Sequence, residues 1–178
     1  MNSFVTSRET LQNMTTNIGK TVLEVSSEQP VMLVFLRHFG CTFCREALAD
    51  ISKKRKSIEE SGFAIIFVHM SDGETAESYF KKYHLPNSIH VSDPECKFYQ
   101  SFGLTKGTFT QLFGLSSWIR GFESSVLKGN GVGPIMGDGF QMPGVFVITE
   151  GTIRESFIHK IVSDRPDYED LLQCCVDQ

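Results

Sequence analysis

The strongest constraint in this 178-residue chain is an unbroken apolar run, Val31-Met-Leu-Val-Phe-Leu36, which closely precedes Cys41-Thr-Phe-Cys44. Six apolar residues in a row read as a strand buried on both faces. Past the second cysteine, Ala47, Leu48, Ile51 and Ile58 recur at helical offsets. Both thiols therefore fall where a helix begins, just beyond the carboxyl end of a buried strand. In an alternating strand–helix chain this is the context that makes C-x-x-C a redox pair. The unpaired N–H groups of a helix start carry about half a positive charge, which stabilises a thiolate there. Residues three apart in a first turn have Cα atoms roughly 5 Å apart, within reach of a disulfide.

The rest of the chain supplies the matching elements. Residues 1–20 read as a polar lead-in with a short helix near Glu9 to Met14, and Val22 to Val25 as a short strand. Phe63 to Val68 is a second buried strand. A helix from Glu74 to Tyr83 follows, capped by Ser71 or Asp72. Ile89 to Val91 is a third strand. Ser92-Asp93-Pro94-Glu95 opens a further helix that ends at Gly103. Strand, helix, strand, helix, strand, helix implies parallel strands with crossover helices. Residues 104–142 form a different region: an amphipathic helix from Phe109 to Val126, then a glycine-rich loop at 129–139. Val145 to Ile148 and Thr152 to His159 read as a closing hairpin around Glu150-Gly151, and Ser163-Asp164-Arg165-Pro166 as the start of a last helix. This is a thioredoxin-type order of elements in a single domain spanning 1–178. In that order, the residue before the penultimate strand reaches the dithiol. Here it is Pro143, where either peptide isomer is compatible with the sequence.

Composition narrows the function classes. At 40% hydrophobic and 21% charged residues the chain is globular, and its formal net charge is −4. No basic face for nucleic acid or an anionic membrane is implied. The one cationic run, Lys53-Lys54-Arg55-Lys56, reads as a solvated helix face. The first residues lack the pattern of a signal peptide, and no apolar run is long enough to span a bilayer. Five cysteines without framework spacing suggest a reducing, cytoplasmic setting.

The segments Phe35 to Glu46, Ser92-Asp93-Pro94, Tyr99, Phe102-Gly103-Leu104, Gly137 to Ile148 and His159 to Tyr168 occur in the order found in one family. The chain resembles the peroxiredoxin-like (AhpC/TSA type 2, selenoprotein-L-related) branch of the thioredoxin superfamily over roughly residues 30–172. The resemblance implies a three-layer α/β sandwich with a mixed central sheet flanked by helices. It also implies thiol redox chemistry with no cofactor: a thiol–disulfide oxidoreductase working through the C-x-x-C pair, with a thioredoxin-dependent peroxidase or a non-enzymatic redox sensor or interaction module as the alternatives. The substrate would be a disulfide or a peroxide and the reductant of thioredoxin or glutathione type. The sequence departs from typical peroxiredoxins. With Cys44 matched to the peroxidatic cysteine, Cys41 takes the usual Thr or Ser position and Arg37 the usual Pro position.

Two assignments of the attacking sulfur follow. Exposure at the helix edge favours Cys41, with Cys44 resolving. The family match favours Cys44, oxidised to a sulfenic acid, with Cys41 resolving. Arg37 could favour an anionic sulfur or pair with a carboxylate; His38 could shuttle a proton or simply help turn the strand into the helix. Cys96 reads as a small buried residue and Cys174-Cys175 as helix-end cysteines. Zinc is disfavoured, because one C-x-x-C supplies only two of four ligands. The glycine-rich loop lacks nucleotide-binding spacing. His159 and Asp164 read as a hairpin end and a cap.

Overall fold

The computed structural model describes residues 7–108, 138–173 and 175. The helix expected from Phe109 to Val126, and all of the glycine-rich loop except 138–139, lie outside these.

Five strands make one mixed sheet: β1 (Val31–Phe35), β2 (Ala64–His69), β3 (Ile89–Ser92), β4 (Gly144–Thr149) and β5 (Thr152–Ile158), in the order β3-β2-β1-β4-β5. β1 pairs in parallel with β2 and β2 with β3, while β4 runs antiparallel to both β1 and β5. β1 is central, and every one of its residues is buried. Strand side chains alternate between faces, so its apolar run serves two cores. Met32 and Val34 pack with Leu48 and Ile51 of α3 (Thr42–Glu60), Phe80 of α4 (Gly73–Lys82) and Leu172 of α6 (Tyr168–Gln173). Val31, Leu33 and Phe35 face the other way. They pack with Leu11 of α1 (Arg8–Asn13), Val25 of α2 (Val22–Glu28) and Tyr99 of α5 (Lys97–Ser101). Helices thus cover both faces, giving the three layers expected.

Three local expectations are corrected. Val22 to Val25 is helical, not a strand. Thr21 accepts the Glu24 amide at 3.2 Å while the Glu24 carboxylate accepts the Thr21 amide at 2.7 Å, a reciprocal cap that starts α2. α5 begins at Lys97 rather than at Pro94, after Cys96 turns the chain with φ 55°. Asp93 still serves its start, accepting the amides of Lys97, Phe98 and Tyr99 at 3.0, 2.8 and 3.3 Å. α6 begins at Tyr168. Asp164 instead accepts the Lys160 and Ile161 amides, and Asp167 accepts the Glu169 amide. No peptide bond among the described residues is cis, so Met142–Pro143 is trans. The β4–β5 hairpin turns through Glu150 and Gly151 at φ 52° and 72°. The positive φ of Gly151 is what calls for glycine there; a Cβ would also meet the movable Cδ1 end of Leu23 at 2.6 Å.

Candidate dithiol site

β1 delivers the chain to the start of α3, where Cys41 is the N-cap residue in extended conformation. The Cys41 amide donates to the His38 carbonyl at 2.9 Å, and the Cys41 carbonyl accepts the Arg45 amide at 3.1 Å. Cys44 therefore lies in the first turn of a 19-residue helix. The Cys41 side chain makes no capping bond. Its sulfur instead accepts a hydrogen bond from Arg37 Nη1 at 3.0 Å. Arg37 Nη2 donates to the Gly139 carbonyl, so the guanidinium spans from the sulfur to segment 138–141. That segment is itself fastened. Asp138 pairs with Lys106 at 2.6 Å, the Gly107 amide donates to the Phe140 carbonyl at 2.7 Å, and Gln141 Nε2 donates to the Leu104 carbonyl at 2.9 Å.

Both cysteines are buried free thiols, Cys41 at 7% exposure and Cys44 at 5%, so the expected order of exposure holds by a margin too small to separate them. Their surroundings differ. Burial, followed by the neighbouring Cys41, pushes the Cys44 thiol far up, against the opposing pull of Arg37, Arg165 and Arg45. Cys41 has the Arg37 guanidinium directly against its sulfur.

One pocket contains both thiols together with Arg37, Pro143, His159 and Arg165, and it has room for a water molecule. Four of the residues picked out from the sequence thus come together: Arg37, Cys41, Cys44 and Pro143. His38 does not line this pocket. Its ring is buried and held to about pKa 4 by burial first, then by Arg37 and Arg45, so it is neutral at pH 7. It serves Cys41 through its backbone carbonyl.

Sequence reasoning missed the residues that arrive from beyond β5. Arg165 donates to Glu46 Oε2 and, at 3.2 Å, to the Phe43 carbonyl, and its guanidinium lies 5.9 Å from the Phe43 ring centre. It thereby braces the first turn of α3. Tyr168 and His159 also line the pocket. Burial raises the Tyr168 phenol and lowers the His159 imidazole to about pKa 4; for His159, Asp164 works against the shift and Arg165 with it. Only the hundred-residue return of the chain brings these groups to Cys44, and no local pattern announces that. Cys96 is buried and remote from this pocket's lining, and Cys175 lies 3.6 Å from the Thr149 hydroxyl; Cys174 lies outside the described residues. No cluster of three or more His, Cys, Asp or Glu among the described residues is arranged to hold a metal, and none of their helices is long and apolar enough to cross a membrane.

A mixed sheet with a buried central strand, a C-x-x-C at the following helix start and a proline-led hairpin define a thioredoxin-like α/β thiol protein. The chain belongs to the AhpC/TSA family, whose model matches residues 9–156. It is 29% identical over 160 residues to peroxiredoxin-like 2C of Bos taurus, covering 83% of this chain and 67% of that protein. It is 26% identical to the prostamide/prostaglandin F synthase of Danio rerio, covering 90% and 81%. It is 23% identical to the chloroplastic thioredoxin-like protein AAED1 of Arabidopsis thaliana, covering 86% and 65%. The chain therefore spans about two thirds of the length of the bovine and plant relatives. Among solved structures, reduced Prx3 of Vibrio vulnificus in complex with hydrogen peroxide matches with TM-score 0.62 at 13% identity, covering 88% and 86%. Peroxidoxin BcpB of Mycobacterium tuberculosis matches with TM-score 0.54 at 14% identity, covering 84% and 82%. These structural likenesses concern the fold, which is peroxiredoxin-like.

Proposed function

We propose that the protein is a thiol oxidoreductase that reduces a small hydroperoxide through Cys41 and Cys44. The observation that carries this reading is the Arg37–Cys41 contact inside a pocket shared with Cys44. A guanidinium hydrogen-bonded to a sulfur pairs with the negative charge of an attacking thiolate, and the thiolate is the nucleophile. Attack on the outer peroxide oxygen breaks the O–O bond, leaving a Cys41 sulfenic acid and releasing an alcohol or water. Cys44 then attacks the Cys41 sulfur, closing a Cys41–Cys44 disulfide and releasing water. A dithiol of thioredoxin type, or two molecules of glutathione, would restore the thiols; the reducing cytoplasm we propose as its location supplies both. Pro143 walls the pocket beside the sulfurs, and His38 positions Cys41 through its carbonyl.

The closeness of the pocket favours a small peroxide over a protein disulfide. A disulfide sulfur must approach the attacking thiolate in line, and at 7% exposure Cys41 admits little more than a small molecule. The lining is largely apolar, including Val34, Phe43 and Val145, and its room for a water-sized molecule favours hydrogen peroxide over a bulky hydroperoxide. A relative named as a prostamide/prostaglandin F synthase is in keeping with small organic substrates.

The test treats reduced protein with one equivalent of hydrogen peroxide, cumene hydroperoxide or oxidised glutathione, then maps disulfides by mass spectrometry. Peroxide should give the Cys41–Cys44 bond fastest. Faster reaction with oxidised glutathione would turn the reading towards disulfide exchange. Slow reaction with every oxidant would leave a redox sensor or interaction module. Absence of that bond throughout would overturn the dithiol reading.

A further inference from the structure

The disulfide-closing step raises a problem that the thiols do not solve by themselves. Cys44 must lose its proton to attack, yet burial strongly favours its protonated form. Some group must take that proton as the S–S bond forms. The titratable side chains lining the pocket are Arg37, Cys41, Cys44, His159, Arg165 and Tyr168. Arginine is never a base in a protein. Cys41 is the atom under attack. The Tyr168 phenol is held protonated by burial, so it has no proton-accepting form to offer. Glu46, the nearest carboxylate in sequence, is engaged by Arg165. One neutral imidazole is left.

We infer that His159 is the proton carrier of disulfide closure: it accepts the Cys44 proton as the sulfur attacks and returns it to the hydroxide leaving Cys41. The inference rests on the peroxidase reading above. The step balances. Cys41–SOH and Cys44–SH become the disulfide and one water, with His159 neutral before and after. Its geometry fits the task. His159 directly follows β5 on the pocket wall, is buried, and keeps Nδ1 without a hydrogen-bond partner. His38, His69 and His90 also keep a buried nitrogen without a hydrogen-bond partner, but of these four histidines only His159 lines the dithiol pocket. The pocket has room for one water, enough for a proton to pass between imidazole and thiol where they do not touch. The charged and titratable groups around the ring are Asp164 and Arg165 on its own segment, Arg37 and the two cysteines from the β1–α3 side, and Tyr168 from α6. Arg165 and burial keep the ring neutral at rest, and the Cys44 charge, if formed, would draw the proton towards it. Proton transfer is therefore concerted with S–S bond formation.

The test follows the two steps separately. Reduced protein is mixed with one equivalent of hydrogen peroxide, quenched at intervals, and its Cys41 sulfenic acid and Cys41–Cys44 disulfide are quantified by mass spectrometry. The proposal expects the sulfenic acid to accumulate in His159→Gln, with closure slowed about 100-fold relative to its formation. A structural role alone would slow both steps together, and an unchanged ratio of the two rates would overturn the proposal. Should His159→Gln fail to fold, the pH profile of closure in the unaltered protein decides. With His159 as carrier the rate is nearly flat from pH 5.5 to 8. A rise of about tenfold per pH unit, following hydroxide, would overturn it. The Cys44→Ser protein separates this from the underlying reading. If peroxide leaves no sulfenic acid on its Cys41, the peroxidase reading itself falls; if it does, only the role of His159 is at stake.

Discussion

Two places in this molecule bury imidazoles beside one another or beside thiols, and only one is built as a site. At the carboxyl end of β2, His69 Nε2 lies 2.9 Å from His90 Nδ1 on β3. Phe80 packs against both rings, 6.2 and 5.4 Å away, and Phe39 lies 5.7 Å from His69. In the dithiol pocket, His159 faces a shared space with two sulfurs and two guanidinium groups. Burial holds His69 and His159 alike at about pKa 4. Lowered basicity is therefore no mark of function here. The two rings bond each other through one nitrogen apiece, leave His69 Nδ1 and His90 Nε2 without hydrogen-bond partners, and are walled by aromatic rings, whereas the dithiol pocket holds two thiols, a guanidinium on one of them and room for a water-sized molecule. Phe39 also stacks on Tyr79, with ring centres 4.8 Å apart, and neither ring lines the dithiol pocket.

The largest effect that would break this contrast is at Cys41. Cys41→Ser should abolish peroxide reduction, a loss of at least about 1,000-fold, because the weaker serine oxygen replaces the sulfur in contact with Arg37. Peroxidase activity surviving in Cys41→Ser but not in Cys44→Ser would reverse the assignment of attack. Next comes Arg37→Met, which keeps the bulk of the stem and removes the charge. It should slow the reaction with peroxide by about 10- to 100-fold, measured as the rate of thiol loss. An unchanged rate would show that the guanidinium serves only to hold Gly139.

Acid acts on both places at once. His38, His69 and His159 have folded-state pKa values near 4, below the ordinary value of 6.5. The unfolded chain then binds more protons than the folded one between these values, so stability is full above pH 6.5 and lost as pH falls towards 4. From pH 7 to pH 5 one such histidine contributes a loss of about 2 kcal/mol. The urea midpoint should fall over that window, and a midpoint independent of pH would contradict the neutral burial of these rings.

How much of this was legible beforehand differs by region. β1, the dithiol at the helix start and the closing hairpin follow from local signals: Val31 to Leu36 has the length and apolarity of a buried strand, and Glu150-Gly151 marks its turn. The strand expected at Val22 failed because apolar spacing outweighed Thr21-x-x-Glu24, a cap signal that was present in the chain. Asp93 was rightly taken to serve a helix start, but its carboxylate reaches forward over Cys96 rather than capping Pro94. Arg165 with Glu46, and His159 with the thiols, could not be read locally. Their partners lie more than a hundred residues away, and only the β4–β5 return brings them together.

The smallest effect is the most direct check on the contrast. His90→Leu removes one partner of the histidine pair and leaves His69 Nε2 buried without its bond. The expected loss is about 1–3 kcal/mol of stability at pH 7, seen as a lower urea midpoint. Peroxide reduction at a temperature where the variant is folded should stay within about twofold of the unaltered rate, since His90 does not line the dithiol pocket. His90 packs on Phe80 and, through His69, against Phe39, whose carbonyl accepts from Arg45 Nε at 2.7 Å. That chain of contacts is a route by which the pair could influence the α3 start. A tenfold loss of peroxide reduction in folded His90→Leu would show that the route is used, and that the two buried places work as one.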